Sequence, residues 1–291
     1  MRLANFDDGG GDRLGVVDEG GLIDLAAADP ALPKTLIGLL AGGGQAMAAV
    51  RAAAKGADRR LALDSVRLRP PIPRPGKFLA VGLNYRDHIA ELKKPIPAFP
   101  STFAKMASAI VGPRDPVWRP LVSDSLDYEG ELAFVIGRRC RHVPRSRARE
   151  VVAGYLVAND VTVREWVALT EQIVPAKSFD TCGPIGPWLV TSDELEDPHR
   201  LRIRTTVNGE TRQDGNTADM IFDCWRLVEI LSQAMTLEPG DIVTTGTPKG
   251  VGHGFSPPRY LKPGDLVTVE IEGIGHISNP IIDEPAGSAA L

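Results

Sequence analysis

The chain has 291 residues, 43% of them hydrophobic, and 33 Lys and Arg against 37 Asp and Glu give a formal net charge of −4. This length and hydrophobic content predict a globular protein with a sizeable core, made of one large domain or of a large and a small one. The near balance of charge gives no electrostatic reason to expect nucleic acid or an anionic membrane as the main partner.

The cysteines and the N-terminus predict a cytoplasmic location. Cys140, Cys182 and Cys224 are odd in number and lack the spacing of a zinc site, which is typical of reduced thiols. The first twenty residues carry acidic residues and glycines where a secretory signal needs an apolar core. No stretch is long and apolar enough to span a bilayer, so we expect a soluble protein.

Residues 1–70 predict a small N-terminal α/β domain. Short strands are expected near residues 13–18 and 22–25, followed by an alanine-rich helix from about 34 to 55. Prolines at positions 70, 71, 73 and 75 forbid a continuing helix or a central strand. The predicted domains are therefore residues 1–70 and 71–291.

The second domain is predicted to be mainly β with a few helices, an α+β class. Short β-type runs such as KFLAVGLN, ELAFVIG, DIVTTGT and DLVTVEIEG are separated by Gly, Pro and Asp turns. Helical patterns interrupt them mainly at residues 85–94 and 219–235. This order does not match an alternating doubly wound α/β protein.

The first helical segment carries a candidate general base. If residues 85–94 are helical, His88 and Glu91 are neighbours on one face, where the carboxylate can hold the tautomer of the imidazole. A surface histidine with an incidental partner is the alternative. Flexible residues before the helix, with Pro95 and Pro97 after it, suggest a short helix between flexible ends, as a lid requires.

The segment DYEGELAFVIG, residues 127–137, places two carboxylates two positions apart in an apolar strand. Alternation puts Glu129 and Glu131 on the face of Ala133 and Val135, where their like charges repel unless a divalent cation lies between them. The alternative is a solvent-facing edge strand whose glutamates discourage aggregation.

A third carboxylate ends the next apolar strand. Asp160, in GYLVANDVTVREW, could cap the following turn. Together with Glu129 and Glu131 it would instead complete one face of an octahedral Mg²⁺ or Mn²⁺ site, with the other positions left to water or substrate.

Two later segments add candidate substrate contacts. Lys177, in PAKSFDTCGPIGP, could be a partly buried amine paired with the acidic site. The run DIVTTGTPKGVGHG is a strand followed by a glycine-rich loop, but it lacks the Gly-Lys-Ser/Thr order of a phosphate-binding loop. Its backbone amides and the Thr247 hydroxyl are expected to bind a carboxylate or enolate oxygen.

Taken together, these motifs resemble the fumarylacetoacetate hydrolase superfamily. The resemblance covers about residues 70–280 and rests on the order and spacing of VGLNYRDHIAE, DYEGELAFVIG, GYLVANDVTVREW, AKSFDTCGPIGPWLVT, VNGETRQDGNTADMIFD and LEPGDIVTTGTPKGVG. It is strongest for the smaller bacterial acylpyruvate hydrolases and 2-hydroxyhepta-2,4-diene-1,7-dioate isomerases. It implies a mixed β-sandwich roll, a homodimer and a role in aromatic catabolism.

The resemblance also implies roles for individual residues. It implies metal ligands at Glu129, Glu131 and Asp160, catalytic residues at His88, Glu91 and Lys177, and substrate contacts at Thr247 and Arg86. The chain departs from many relatives where they carry a glutamine soon after the metal aspartate, because this chain reads Arg164-Glu165-Trp166-Val167. A polar substrate contact is therefore expected to be missing there.

The main functional prediction is metal-dependent hydrolysis of a carbon-carbon bond in a 2,4-dioxo acid. His88 would deprotonate a water that attacks the distal carbonyl, which releases a carboxylic acid and a pyruvate-type 2-oxo acid. The alternative is isomerisation or decarboxylation of 2-oxo or 2-hydroxy-dienoic diacids, including the decarboxylation of oxaloacetate. A non-catalytic oxo-acid binding protein is a third interpretation, because a fold does not guarantee activity.

Overall fold

A computed structural model describes residues 1–288, so the last three residues of the predicted second domain lie outside the description. The strands are β1 (Arg2–Asp7), β2 (Asp12–Asp18), β3 (Gly21–Asp24), β4 (Arg67–Arg69), β5 (Phe78–Gly82), β6 (Ser101–Ala104), β7 (Ile110–Val111), β8 (Val117–Arg119), β9 (Leu126–Asp127), β10 (Gly130–Ile136), β11 (Val152–Asn159), β12 (Thr162–Val163), β13 (Gly183–Thr191), β14 (Arg202–Val207), β15 (Glu210–Asn216), β16 (Ile242–Thr244), β17 (Leu266–Ile271) and β18 (Gly275–Asp283). The α-helices are α1 (Leu25–Ala28), α2 (Leu36–Ala41), α3 (Gly43–Gly56), α4 (Arg86–Glu91), α5 (Arg164–Val167), α6 (Val174–Lys177) and α7 (Cys224–Ala234). Short 3₁₀ turns occupy Ala107–Ala109, Arg145–Val151, Thr217–Asp219 and Gly252–Gly254.

Two sheets organise the chain. The larger has the strand order β3-β2-β1-β13-β11-β10-β16-β5-β6, with β4 paired to β1 and β7 paired to β13. The smaller has the order β15-β14-β17-β18-β8, and β9 pairs with β12 as a separate ribbon. Most pairings are antiparallel, while β5 with β16, β7 with β13 and β8 with β18 are parallel.

Strand β10 lies in the middle of the larger sheet, and its two faces belong to different cores. Leu132, Phe134 and Ile136 pack in the core that contains the inward side chains of the smaller sheet, such as those of β14 and β17. Ala133 and Val135 pack in a second core against helices α2 and α3. Because both faces are covered, every residue of β10 is buried, which explains why the strand reads as an almost continuous apolar run.

The N-terminal residues extend the larger sheet, since β1 pairs with β13 through Arg2↔Val190 and Leu3↔Leu189. Helices α2 and α3 replace the single alanine-rich helix that the sequence predicts. The break falls at Gly43, whose φ of 61° is the left-handed conformation that glycine adopts without strain. The domain boundary near residue 70 stays a prediction.

The mixed α+β class and the sandwich of two sheets are confirmed by this architecture. None of the helices in residues 1–288 has the length and apolar character needed to cross a membrane.

Candidate active site

Two neighbouring strand ends bring three carboxylates together. Glu129 immediately precedes β10, Glu131 is the second residue of β10, and Asp160 immediately follows β11. The pairing Gly130↔Asn159 sets these ends side by side, and the backbone N–H of Asp160 donates to the carbonyl of Glu129 at 2.8 Å. One oxygen from each of the three carboxylates lies within 4.8 Å of the others. We call this group the carboxylate centre.

The edge-strand alternative for the two glutamates is wrong. Strand β10 pairs with β11 on one side and with β16 on the other, so it has no free edge there. Glu129 is 6% exposed and Glu131 is 1% exposed. Carboxylates this deeply buried need compensating charge or hydrogen bonds, because desolvation penalises their ionised form.

Three cationic side chains supply part of that compensation. Lys177 Nζ lies 2.7 Å from Glu129 Oε2 and 2.7 Å from Asp160 Oδ2. Lys105 Nζ lies 2.5 Å from Asp160 Oδ1, and the Arg164 guanidinium donates to Glu129 Oε1 at 2.6 Å. Lys105 also donates to the backbone carbonyl of Lys177. The three cations therefore contact only two of the three carboxylates.

The pKa values of the two glutamates shift in opposite directions for this reason. Burial raises the pKa of Glu129, but the charges of Lys177 and Arg164 outweigh it and hold that pKa at about 2. Burial, together with the charges of Asp160 and Glu129, raises the pKa of Glu131 well above its ordinary value. A hydrogen bond from the Gly246 N–H to Glu131 Oε2, at 2.9 Å, opposes that rise only in part.

These residues fit a hard divalent cation. Glu131 is a buried carboxylate without a cationic side-chain partner among the described residues, and its pKa is raised by its neighbours. A divalent ion held by Glu129, Glu131 and Asp160 would provide the charge that Glu131 lacks. An all-oxygen donor set is the one that Mg²⁺ and Mn²⁺ prefer.

Helix α4 brings His88 and Glu91 into contact, while their acid-base role stays a prediction. His88 Nδ1 lies 3.0 Å from Glu91 Oε2, and both residues are largely buried, in contrast to the surface alternative. Burial raises the pKa of Glu129, and the positive charges of Lys177, of Arg164 and of protonated His88 lower it. The His88–Glu91 pair therefore lies within electrostatic reach of the carboxylate centre. The chain before the helix is anchored rather than free, because the buried Asn84 side chain donates to the carbonyls of Phe222 and Thr245.

The two predicted substrate contacts have different surroundings. The hydroxyl of Thr247 donates to the Gly130 carbonyl at 2.9 Å and accepts from Gln213 at 2.7 Å, so its one proton already has a partner inside the fold. Arg86 is exposed at the start of α4 and forms no ion pair with another described residue. The roles of both residues stay predictions.

Sequence reasoning missed Lys105 and the position of Arg164. Lys105 is a buried lysine that follows a short strand, and the available signal was a single charged residue within the otherwise uncharged run STFAKMASAIVG. Arg164 entered the sequence analysis only as part of a departure from relatives. Its neighbour Glu165 turns away from the site and accepts a hydrogen bond from Ser123 Oγ at 2.6 Å, while Arg164 turns inward.

Comparison with known proteins gives one family. Residues 77–282 match the family described as fumarylacetoacetate (FAA) hydrolase C-terminal. The chain is 42% identical over 288 residues to the mitochondrial oxaloacetate tautomerase fahd2 of Xenopus laevis, covering 97% of this chain and 90% of that protein.

Two solved structures share the fold. Maleylpyruvate hydrolase from Sphingobium sp. SYK-6, in complex with manganese(II) and pyruvate, is 36% identical with a TM-score of 0.83. The 5-carboxymethyl-2-hydroxymuconate delta-isomerase from Mycobacterium smegmatis is 35% identical with a TM-score of 0.78. Each covers 98% of this chain and is covered over 100% of its own length.

Proposed function

Because the chain belongs to the fumarylacetoacetate hydrolase family and is an enzyme of that family, we propose that it interconverts the keto and enol forms of oxaloacetate or a similar 2-oxo dicarboxylic acid. The observation that carries this proposal is the 42% identity to an oxaloacetate tautomerase over 97% of the chain, in a protein that has both a carboxylate centre and a His-Glu pair. This reaction narrows the isomerase and decarboxylase alternative of the sequence prediction to a keto-enol isomerisation, and the relatives support that alternative better than hydrolysis.

The charges of the site suit an anionic substrate together with a divalent ion. Four buried carboxylates, Asp127, Glu129, Glu131 and Asp160, lie beside three cations, Lys105, Lys177 and Arg164, so the cluster has one carboxylate more than it has cations. A divalent cation alone would leave one excess positive charge in this buried site, and a carboxylate group of the substrate would offset it.

In the proposed proton transfer, His88 is the base and Lys177 stabilises the charge of the enolate. A Mg²⁺ or Mn²⁺ ion at the carboxylate centre would polarise the 2-oxo group and so acidify the protons at C3. His88 bonds to Glu91 through Nδ1, which leaves Nε2 to accept a proton from C3. Tautomerisation then moves one proton from C3 to the oxygen on C2, without loss or gain of atoms. Lys177 supplies positive charge for the enolate oxygen.

Hydrolysis of an acylpyruvate-type 2,4-dioxo acid is the second candidate. It is favoured by the likeness to a maleylpyruvate hydrolase at 36% identity. The same His88 could activate a water instead of removing a substrate proton, because both reactions need a base near the bound oxo acid.

The deciding experiment uses oxaloacetate in D₂O with Mn²⁺, with Mg²⁺ and with excess chelator. Enzymatic tautomerisation accelerates the approach to keto-enol equilibrium, followed by ultraviolet absorbance, and exchanges deuterium into C3, followed by NMR. Acetylpyruvate, tested in parallel, reports hydrolysis through acetate and pyruvate. If the enzyme does not accelerate tautomerisation above the rate without enzyme but does release pyruvate from acetylpyruvate, the second candidate replaces the proposal.

His88→Ala is the matched variant, since it removes the proposed base and leaves the carboxylate centre intact. We expect a loss of about 10²- to 10⁴-fold in the rate of tautomerisation, the range typical of one general base. The cytoplasmic location, the homodimer and a role in aromatic catabolism stay predictions.

A further inference from the structure

The loop Gly250–Gly254 holds two carboxylates from different parts of the site, the fully buried Asp127 and the largely buried Glu91. The Gly250 N–H donates to Glu91 Oε1 at 2.9 Å. The Gly252 N–H donates to Asp127 Oδ1 at 2.7 Å, and the His253 N–H donates to Asp127 Oδ2 at 2.9 Å. We call this segment the carboxylate clamp.

The glycines of the clamp have no room for a side chain. A Cβ on Gly254 would lie 2.4 Å from Glu91 Oε1, and one on Gly252 would lie 2.6 Å from Asp127 Oδ1. At Gly250 a Cβ would lie 2.1 Å from a backbone carbonyl, and the φ of 101° also disfavours other residues. The alternating glycines in GVGHG are therefore explained by close approach to the carboxylates and the neighbouring backbone.

Asp127 links the clamp to the carboxylate centre. It is fully buried, and its Oδ2 also accepts a hydrogen bond from Arg164 Nε at 2.8 Å. The other end of the same guanidinium donates to Glu129 Oε1 at 2.6 Å. A planar guanidinium held at both ends has little rotational freedom, so the position of Asp127 decides where Arg164 lies.

Glu91 links the clamp to the general base. Its Oε2 contacts His88 Nδ1 at 3.0 Å while its Oε1 accepts from Gly250. One carboxylate thus joins the imidazole to the loop.

We propose that the carboxylate clamp couples the two halves of the site: it positions Glu91, and through it His88, together with Asp127, and through it Arg164. Glu91 and Asp127 are then positioning residues that act through their neighbours. A shift of the loop disturbs the base and the carboxylate centre at once, because adjacent N–H groups of one short turn hold both. The kinetic test below rests on the proposed tautomerase activity, while the exchange test does not.

The exchange test measures amide hydrogen exchange at single residues by NMR in Glu91→Ala. The coupled clamp predicts at least about ten-fold faster exchange at Gly250 and also at Gly252 and His253, whose amides bond Asp127 and not Glu91. The exposed Glu196→Ala variant is the control and leaves these amides unchanged. Faster exchange at Gly250 alone, or at none of the three, would overturn the coupling.

The kinetic test is a double-mutant cycle of Gly254→Ala with Glu91→Ala. Gly254→Ala is expected to lower kcat by about 10- to 100-fold by displacing the Glu91 carboxylate, and to cost nothing further when Glu91 is already alanine. Gly44→Ala, at an open helical glycine, is the control for the glycine substitution. Multiplicative losses in the double variant would contradict the proposal.

The two tests fail separately. If the wild-type enzyme does not act on oxaloacetate, the proposed function is wrong, and the exchange pattern still decides whether the carboxylate clamp couples Glu91 to Asp127. If the enzyme is active but the amides of Gly252 and His253 do not exchange faster in Glu91→Ala, the proposed function stands and the coupling is refuted.

Discussion

The carboxylate centre and a charged cluster in the N-terminal region have similar residues but different surroundings. In the N-terminal cluster, Arg13 forms ion pairs with Asp8 and with Asp24, and the three residues line a cavity of about 420 Å³. Their side chains are 32%, 35% and 11% exposed, so water shares the stabilisation of each charge. The aspartates and arginine form partnered surface pairs of a kind that need no ligand.

At the carboxylate centre the three carboxylate side chains are at most 8% exposed. Every charge there must be balanced by protein atoms or by a bound ion, since little water can reach it. We therefore expect a metal ion at the carboxylate centre, where acidic side chains converge in a buried place with unequal compensation, and none at the N-terminal cluster. Four experiments test this difference between the two clusters.

The largest expected effect is that of Glu131→Gln. Mn²⁺ affinity, measured by calorimetry, should fall by more than about 100-fold, because the substitution removes a proposed metal ligand. Even the loss of a residue that only supports a ligand typically costs 10- to 100-fold in affinity.

The stability of Glu131→Gln without metal should instead increase. Its free energy of unfolding, measured in chelator, is expected to exceed that of the wild type. Because burial raises the pKa of Glu131, its ionisation destabilises the folded state as the pH rises above the ordinary value of 4.5, and glutamine removes that penalty.

The exposed Glu171→Gln variant is the control for this substitution. Retained Mn²⁺ affinity in Glu131→Gln would refute the metal assignment. Lower stability in chelator would refute the interpretation of its pKa.

The second effect is on stability, in Lys105→Met. Removing one partner of a buried pair leaves the Asp160 charge uncompensated on that side, which typically costs about 3–5 kcal/mol of unfolding free energy. Denaturant unfolding in chelator measures the loss, and saturating Mn²⁺ should reduce it. Lys55→Met, at an exposed lysine, should be almost neutral. Equal stability of the two variants would show that Lys105 is not needed to balance the centre.

A smaller effect is expected when Mn²⁺ is added to the wild-type protein. At a free concentration one hundred times its dissociation constant, an ion that binds only the folded state adds about 2.7 kcal/mol to the unfolding free energy. Thermal unfolding with and without the ion measures this change, and Asp160→Asn should abolish it. Stabilisation of the same size in Asp160→Asn would place the ion elsewhere.

The smallest effect is expected at the N-terminal cluster, from Arg13→Gln. Partly exposed ion pairs contribute little, so Tm should fall by less than about 3 °C. Mn²⁺ affinity and turnover should match the wild type, because no contact joins Arg13 to the carboxylate centre among the described residues. A loss of Mn²⁺ affinity would mean that the two regions are not independent.

Much of the fold was predictable because strands and turns leave local signals. The apolar runs that contain β10, β11 and β17 were recognised from composition and turn residues. The role of the segment GVGHG, residues 250–254, was not predicted, because it depends on the carboxylates of Asp127 and of Glu91 in helix α4. No pattern within the loop itself identifies those partners.

Residue type and short-range spacing were enough to identify the carboxylates, the His88–Glu91 pair and most of the strands. Which carboxylates are compensated depends on contacts between distant parts of the chain. Lys105 meets Asp160 across 55 positions of the chain, and Lys177 meets Glu129 across 48. The pairing of β10 with β11 and the packing of α6 beside β12 create these contacts. The resulting burial, absent from any local motif, makes the charges interact strongly enough to form a site.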